Sequence, residues 1–120
     1  MMQRKIVAIV DDDAAVLSAL SSLVRSIGFV ALTFSSAEAF LAHPDLPGVT
    51  ILISDIQMPG GINGFELQEW LRLRHLSIPT VLMTGLSDEA TRERALGSGA
   101  WKFMLKPVDS DALIECLERV

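Results

Sequence analysis

The stretch Ile51-Leu52-Ile53-Ser54-Asp55 constrains this chain more than any other. Apolar and small residues run directly into an aspartate, and Ile56-Gln57-Met58-Pro59-Gly60-Gly61 follows, a loop through which no strand continues. A short isoleucine-rich run bounded by turn formers predicts a strand buried on both faces. Asp55 then stands at the strand's C-terminal end, the edge of an open α/β sheet at which ligands bind. A carboxylate in that place is costly to leave unpaired, so it is either satisfied by neighbours or functional. The rest of the chain is read for what else points at it.

Before Asp55, Lys5 to Val10 reads as a first strand, apolar and β-branched, with Asp11, Asp12 and Asp13 at its C-terminal end. Val16, Leu20, Leu23, Val24 and Ile27 fall on one face of a helix. Asp13 either caps that helix or sits in its first turn, where negative charge is favoured, and Gly28 ends it as a C′ residue. Phe29 to Phe34 is a second strand. Ser35 and Ser36 offer caps for a short helix through Ala37, Ala39, Phe40 and Leu41, and His43 to Gly48 is a loop. After Asp55, Asn63-Gly64 precedes a helix carrying Phe65, Leu67, Trp70, Leu71 and Leu73. Ile78 to Met83 is a fourth strand, ending at Thr84-Gly85. The helix from Asp88 to Gly97 has a thin apolar face, Ala90, Ala95 and Leu96, which predicts little burial and easy movement. Ala100 to Leu105 is a fifth strand ending at Lys106-Pro107, and Leu113, Ile114 and Leu117 mark a last helix.

Strand and helix alternate five times, which predicts a parallel sheet with helices on both faces. In such a sheet all strand C-termini share one edge, so Asp11 and Asp12, Asp55, Thr84 and Lys106 converge there. No strand–helix turn has the glycine spacing of a P-loop or a dinucleotide-binding cradle.

Composition narrows the class. A chain of 120 residues, half of them hydrophobic, suits one folded domain over 1–120. No apolar run approaches the roughly 18–20 residues that span a bilayer, so no membrane association is expected. Met1-Met2-Gln3-Arg4-Lys5 leads into a short strand and then aspartates, which is unlike a signal peptide. The single cysteine, Cys116, excludes an internal disulfide and fits a reducing cytoplasm. A formal charge of −5 argues against this domain gripping nucleic acid by itself.

Asp11-Asp12 after the first strand, Asp55 with Met58-Pro59 after the third, Thr84-Gly85 after the fourth and Lys106-Pro107 after the fifth together resemble the receiver domain of two-component response regulators. Each motif alone is weak; their order and placement carry the resemblance, which covers essentially the whole chain. The first helix and Phe34-Ser35-Ser36-Ala37-Glu38-Ala39-Phe40-Leu41 are similar more specifically to NarL/FixJ-type regulators. The resemblance implies a flavodoxin-like (βα)5 fold with strand order 2-1-3-4-5. It implies that Asp55 accepts a phosphoryl group from a sensor histidine kinase. It also implies Mg²⁺ held by Asp12, Asp55 and the backbone carbonyl of Gln57, with Asp11 acting partly through water. Lys106 and Thr84 are implied to contact the phosphoryl group, and Thr84 and the aromatic Phe103 to form a switch. The surface of the fourth helix, fifth strand and fifth helix is the implied output and possible homodimer surface. DNA would be reached only through an output domain outside this chain, to control transcription. Lys106-Pro107 is implied to be a cis bond.

The chemistry suits those residue types. Clustered carboxylates raise one another's pKa values and repel phosphate, and a divalent cation relieves both effects. Oxygen donors suit Mg²⁺, and phosphoryl transfer is mostly positioning and charge neutralisation. Such a protein assists its own phosphorylation and dephosphorylation rather than being an enzyme. Two rivals stand beside this reading: a receiver-like module that binds a partner without being phosphorylated, and an aspartate-nucleophile phosphohydrolase of the haloacid dehalogenase type. All the acceptor residues are present, which argues against the first. Against the second, which shares an aspartate pair spaced as in Asp11-Asp12-Asp13, nothing in this chain resembles the cap insertion or substrate pocket of such enzymes. The chain departs from the family in Gly60-Gly61-Ile62-Asn63, one residue longer than is common, and in Trp101-Lys102, where Trp101 is either a partner contact or packing. His43 and His75 have no metal-site partners and are expected at the surface. Cys116 is expected to be structural.

Overall fold

The computed structural model describes residues 4–86 and 88–120. Five strands form one parallel sheet: β1 (Ile6–Val10), β2 (Val30–Phe34), β3 (Ile51–Asp55), β4 (Thr80–Thr84) and β5 (Lys102–Leu105). Their order across the sheet is β2-β1-β3-β4-β5, as expected. The helices α1 (Ala14–Ser26), α2 (Ala37–Leu41), α3 (Gly64–Leu73), α4 (Glu89–Gly97) and α5 (Ser110–Arg119) follow the strands in turn. Both faces of the sheet are covered, so the central strands need apolar side chains pointing both ways. Val7 and Ile9 of β1, Ile51 and Ile53 of β3, and Val81 and Met83 of β4 pack with Leu20 and Val24 of α1 and with Leu113 and Leu117 of α5. Their strand neighbours Ala8, Val10 and Leu52 pack instead on Ala37 and Phe40 of α2 and on Leu67 and Leu71 of α3.

Local chemistry sets the helix ends. Asp13 is the N-cap of α1, accepting from the N–H groups of Ala15 and Val16, which decides between the two places open to it. Gly28 takes a φ of +86° just beyond α1, the left-handed conformation expected of a C′ glycine. Ser36 caps α2 and Asp88 caps α4. Asn63 and Glu66 form a reciprocal capping box at the start of α3. The end of α3 had no glycine to mark it. His75 fills the left-handed position with a φ of 57°, and the Leu76 N–H closes the turn onto the Leu71 carbonyl. His75 is exposed, while His43 is half-buried and stacks edge-on to Phe34.

Two apolar faces differ from expectation. In α3 only Gly64, Leu67 and Leu71 are buried, while Trp70 and Leu73 are 44% and 61% exposed. The five apolar residues read from the sequence are spread too widely around the helix to share one face, and Leu67 and Leu71, four residues apart, form the buried stripe. In α4 the thin face is thinner still: Ala95 is its one buried side chain among the described residues, and Leu96 points out. Trp101 packs against the α1/α5 core, which favours the packing reading of that residue. The Lys106–Pro107 bond is cis. No helix among the described residues is long and apolar enough to cross a membrane.

Candidate functional site

The parallel register places the site. Val10 pairs with Ser54, Asp55 with Met83 and Thr84 with Leu105, so Asp11, Asp55, Thr84 and Lys106 emerge from one edge of the sheet. The edge is extended by backbone bonds: Asp11 N–H to the Phe34 carbonyl at 3.1 Å, Ile56 N–H to Met83 at 2.8 Å and Lys106 N–H to Thr84 at 2.8 Å. Neighbouring strand tips are therefore tied together before any side chain acts.

At this edge one carboxylate oxygen from each of Asp11, Asp12 and Asp55 lies within 4.8 Å of the others. Asp11 is fully buried and Asp55 nearly so, while Asp12 is exposed. Lys106 reaches over both buried carboxylates, its Nζ 2.7 Å from Asp11 Oδ2 and 3.3 Å from Asp55 Oδ1. Asp11 Oδ1 accepts from the Asp13 N–H at 2.9 Å. Asp11 Oδ2 is enclosed, and the Lys106 ammonium is the positive group that faces it. Burial pushes the Asp55 carboxyl above the ordinary aspartate value, the Asp11 charge pushes it further, and Lys106 pulls it back. For Lys106 burial works against the ammonium, but the contacts and charges of Asp11 and Asp55 together outweigh it and hold the amine above the ordinary lysine value. Three carboxylates thus lie together with one ammonium, which contacts two of them. The shortfall of positive charge fits a second cation, and an all-oxygen donor set suits a hard divalent ion.

Thr84 is fully buried, and its hydroxyl is turned towards Gln57. It donates to Gln57 Oε1 at 2.6 Å and accepts from the Leu86 N–H at 3.0 Å. Phe103 is half-buried against Ile56, Leu82 and Ala95, on the side of the sheet that α4 covers. Of the residues read from the sequence as site or switch, Asp11, Asp12, Asp55, Gln57, Thr84 and Lys106 meet at this edge, whereas Phe103 pairs with Leu82 further back in the sheet, under α4.

Three supporting residues escaped the sequence reading. Gly64 lets α3 approach β3: a Cβ there would lie 2.7 Å from the Asp55 carbonyl oxygen and 3.0 Å from Ile56 Cα. Glu38, from α2, reaches across to the glycine loop and accepts from the Ile62 N–H at 3.4 Å. Met58 is buried beside Ile62 in the α2/α3 core. The longer loop is thus held at both ends, although Gly60 takes a φ of +85° that few other residues tolerate. The third is the Gln57 side chain, which the sequence marked only through its carbonyl. The Asn63…Glu66 spacing is a readable signature of the helix start, whereas a contact such as Glu38 to Ile62 leaves no local trace.

Comparison with known proteins agrees with this geometry. Residues 7–118 match the response regulator receiver domain family. The response regulator protein TmoT of Ectopseudomonas mendocina is 40% identical over 112 residues, which are 93% of this chain and 50% of TmoT. The transcriptional regulatory protein FixJ of Bradyrhizobium diazoefficiens is 36% identical over 112 residues, 92% of this chain and 53% of FixJ. A crystal structure of FixJ-N superposes with a TM-score of 0.85 at 36% identity, covering 98% of this chain and 94% of that one. The chain spans about half the length of these two curated relatives. With sequence, fold and site in agreement, the chain belongs to the response regulator receiver domain family and is a phosphorylatable signalling module of the two-component type.

Proposed function

We propose that Asp55 is the phosphoacceptor of this receiver, taking its phosphoryl group from a sensor histidine kinase. The observation that carries the reading is the meeting of Asp11, Asp12 and Asp55 within 4.8 Å, under a lysine 2.7 Å from Asp11 and 3.3 Å from Asp55. A carboxylate oxygen of Asp55 forms the new P–O bond as the P–N bond to the kinase imidazole breaks, and the imidazole leaves neutral after taking up a proton. The residues that would hold Mg²⁺ are Asp12, Asp55 and the Gln57 carbonyl, with Asp11 acting partly through water. Bound there, the ion supplies positive charge that keeps Asp55 ionised and draws phosphoryl oxygens close. Lys106 stays protonated at neutral pH and orients the phosphoryl oxygens as a point charge. Thr84 donates to the same group after turning from Gln57. The protein is a phosphoacceptor that assists its own loading and unloading, working in the cytoplasm. Phe103 and the α4-β5-α5 surface carry the change outward, with a second copy as one candidate partner there. Transcription is controlled through an output domain of a longer regulator; the names and lengths of TmoT and FixJ support that step.

Incubation with Mg²⁺ and acetyl phosphate is expected to add the mass of one phosphoryl group, lost on chelation and absent in Asp55→Asn. A wild type that gains no mass under these conditions sinks the phosphoacceptor reading and favours a silent interaction module.

A further inference from the structure

We propose that the Gln57 side chain is a positioning residue that sets the resting balance of the switch by holding the Thr84 hydroxyl. The inference rests on the phosphoacceptor reading and deepens it. Thr84 is fully buried, and both of its hydrogen-bonding functions are already engaged: the O–H donates to Gln57 Oε1 at 2.6 Å, and the oxygen accepts from Leu86 N–H at 3.0 Å. A hydroxyl has one hydrogen to give. It cannot donate to Gln57 and to a phosphoryl oxygen on Asp55 at once, so the two acceptors compete for the same proton.

The competition links three parts of the molecule. Gln57 lies two residues beyond Asp55, in the loop whose carbonyl is assigned to the cation. Gln57 borders an open groove of about 330 Å³ between α3 and α4, lined also by Ile56, Phe65 and Thr91, so the released amide has room to swing. When Thr84 turns away, Leu86 N–H loses its acceptor. Leu86 stands in the connection to α4, and its side chain is already half-exposed. Moving one hydroxyl therefore loosens the entry to the helix with the fewest buried side chains. Gln57 opposes that movement until a phosphoryl group offers a charged, stronger acceptor. Energetically this is a population shift, in which the phosphoryl group prevails only by the difference between the two acceptors.

The test compares the wild type with Gln57→Met, which keeps the length but removes the acceptor, and Gln57→Glu, which restores one. The unphosphorylated proteins are examined by NMR for exchange of the Leu86 amide and for resonance positions. The resting wild type and the wild type saturated with beryllofluoride and Mg²⁺ serve as the two endpoints. Gln57→Met is expected to speed Leu86 exchange roughly 2- to 10-fold, the size of one net hydrogen bond. It should also displace α4 resonances towards the beryllofluoride endpoint and accelerate labelling by acetyl phosphate. Gln57→Glu should return Leu86 exchange to the wild-type rate or below it. Faster exchange without displacement towards that endpoint makes the bond a structural contact only and overturns the proposal. So does an unchanged Leu86 in Gln57→Met, or the same change in both variants. A wild type that takes neither beryllofluoride nor a phosphoryl group refutes the underlying phosphoacceptor reading instead, a result distinct from any Leu86 exchange rate.

Discussion

At Gly64 the start of α3 lies against the end of the carboxylate strand. Alanine at an exposed helical glycine ordinarily gains up to about 1 kcal/mol. Here the added carbon would press within 2.7 Å of the Asp55 carbonyl oxygen, a backbone atom that cannot swing aside. Overpacking therefore reverses the sign. Gly64→Ala is expected to destabilise by about 1–3 kcal/mol in urea titrations and to slow acetyl phosphate labelling, because Asp55 and Ile56 move together. Asn63-Gly64 was readable as a turn into a helix, but the need for glycine was not, since it arises from an atom nine residues earlier in the chain. Gln57 carries the same lesson: its carbonyl followed from a family pattern, while its side-chain bond to Thr84 exists only because β3 and β4 lie side by side.

Among the elements, α4 differs from the rest in how it is held. Helix α1 buries Leu20 and Val24 in the main core, whereas α4 buries Ala95 alone. Polar clips to α3 replace the missing apolar contact: the Arg94 guanidinium sits 4.2 Å from the Phe65 ring centroid, and Ser98 Oγ donates to Gln68 Oε1 at 2.7 Å. Clips of this kind contribute about 0.5–1 kcal/mol each at exposed sites, less than one buried leucine. Amide exchange is thus expected to be faster in α4 than in α1, and Arg94→Ala to raise α4 rates roughly 2- to 5-fold while leaving α1 unchanged. Equal protection of the two helices would contradict this account. The weak apolar pattern of α4 was visible in its residues. The choice of Leu67 and Leu71 over Trp70 and Leu73 as the buried stripe of α3 was not, because five widely spread apolar residues offer more than one face.

For the whole molecule, the site sets part of the pH dependence of folding. Burial and then Asp11 raise the Asp55 pKa above 3.8 in the folded state. The folded state then holds its proton more tightly than the unfolded chain, so this group's contribution to stability falls as pH rises from 3.8 through the raised value. A divalent cation held by Asp11, Asp12 and Asp55 would reverse the slope, because it would bind the ionised carboxylates and be displaced by acid. At a hundred times its dissociation constant such an ion adds about 2.7 kcal/mol. Lys106 acts elsewhere: its pKa is raised above 10.5, so its contribution is complete below 10.5 and lost as pH climbs through the folded value. Thermal midpoints of the wild type minus those of Asp55→Asn, measured across the acidic range with and without Mg²⁺, are expected to slope in opposite directions. Two slopes that both rise with pH would contradict the raised Asp55 pKa, and two that both fall would contradict cation binding at the carboxylates.

The sequence by itself determined the elements, their alternation and the strand tips that carry the reactive residues. Strand hydrophobicity, helix periodicity and capping are properties of neighbours along the chain, and the receiver motifs lie at strand ends where order alone brings them to one edge. The tertiary structure decided which atoms meet there. It set the burial of Asp11 beside an exposed Asp12, the reach of Lys106 across two carboxylates, the turn of Thr84 towards Gln57 and the anchoring of the glycine loop by Glu38. Each of these depends on strand register and on side chains far apart in sequence, where distance and desolvation act and local propensity is silent.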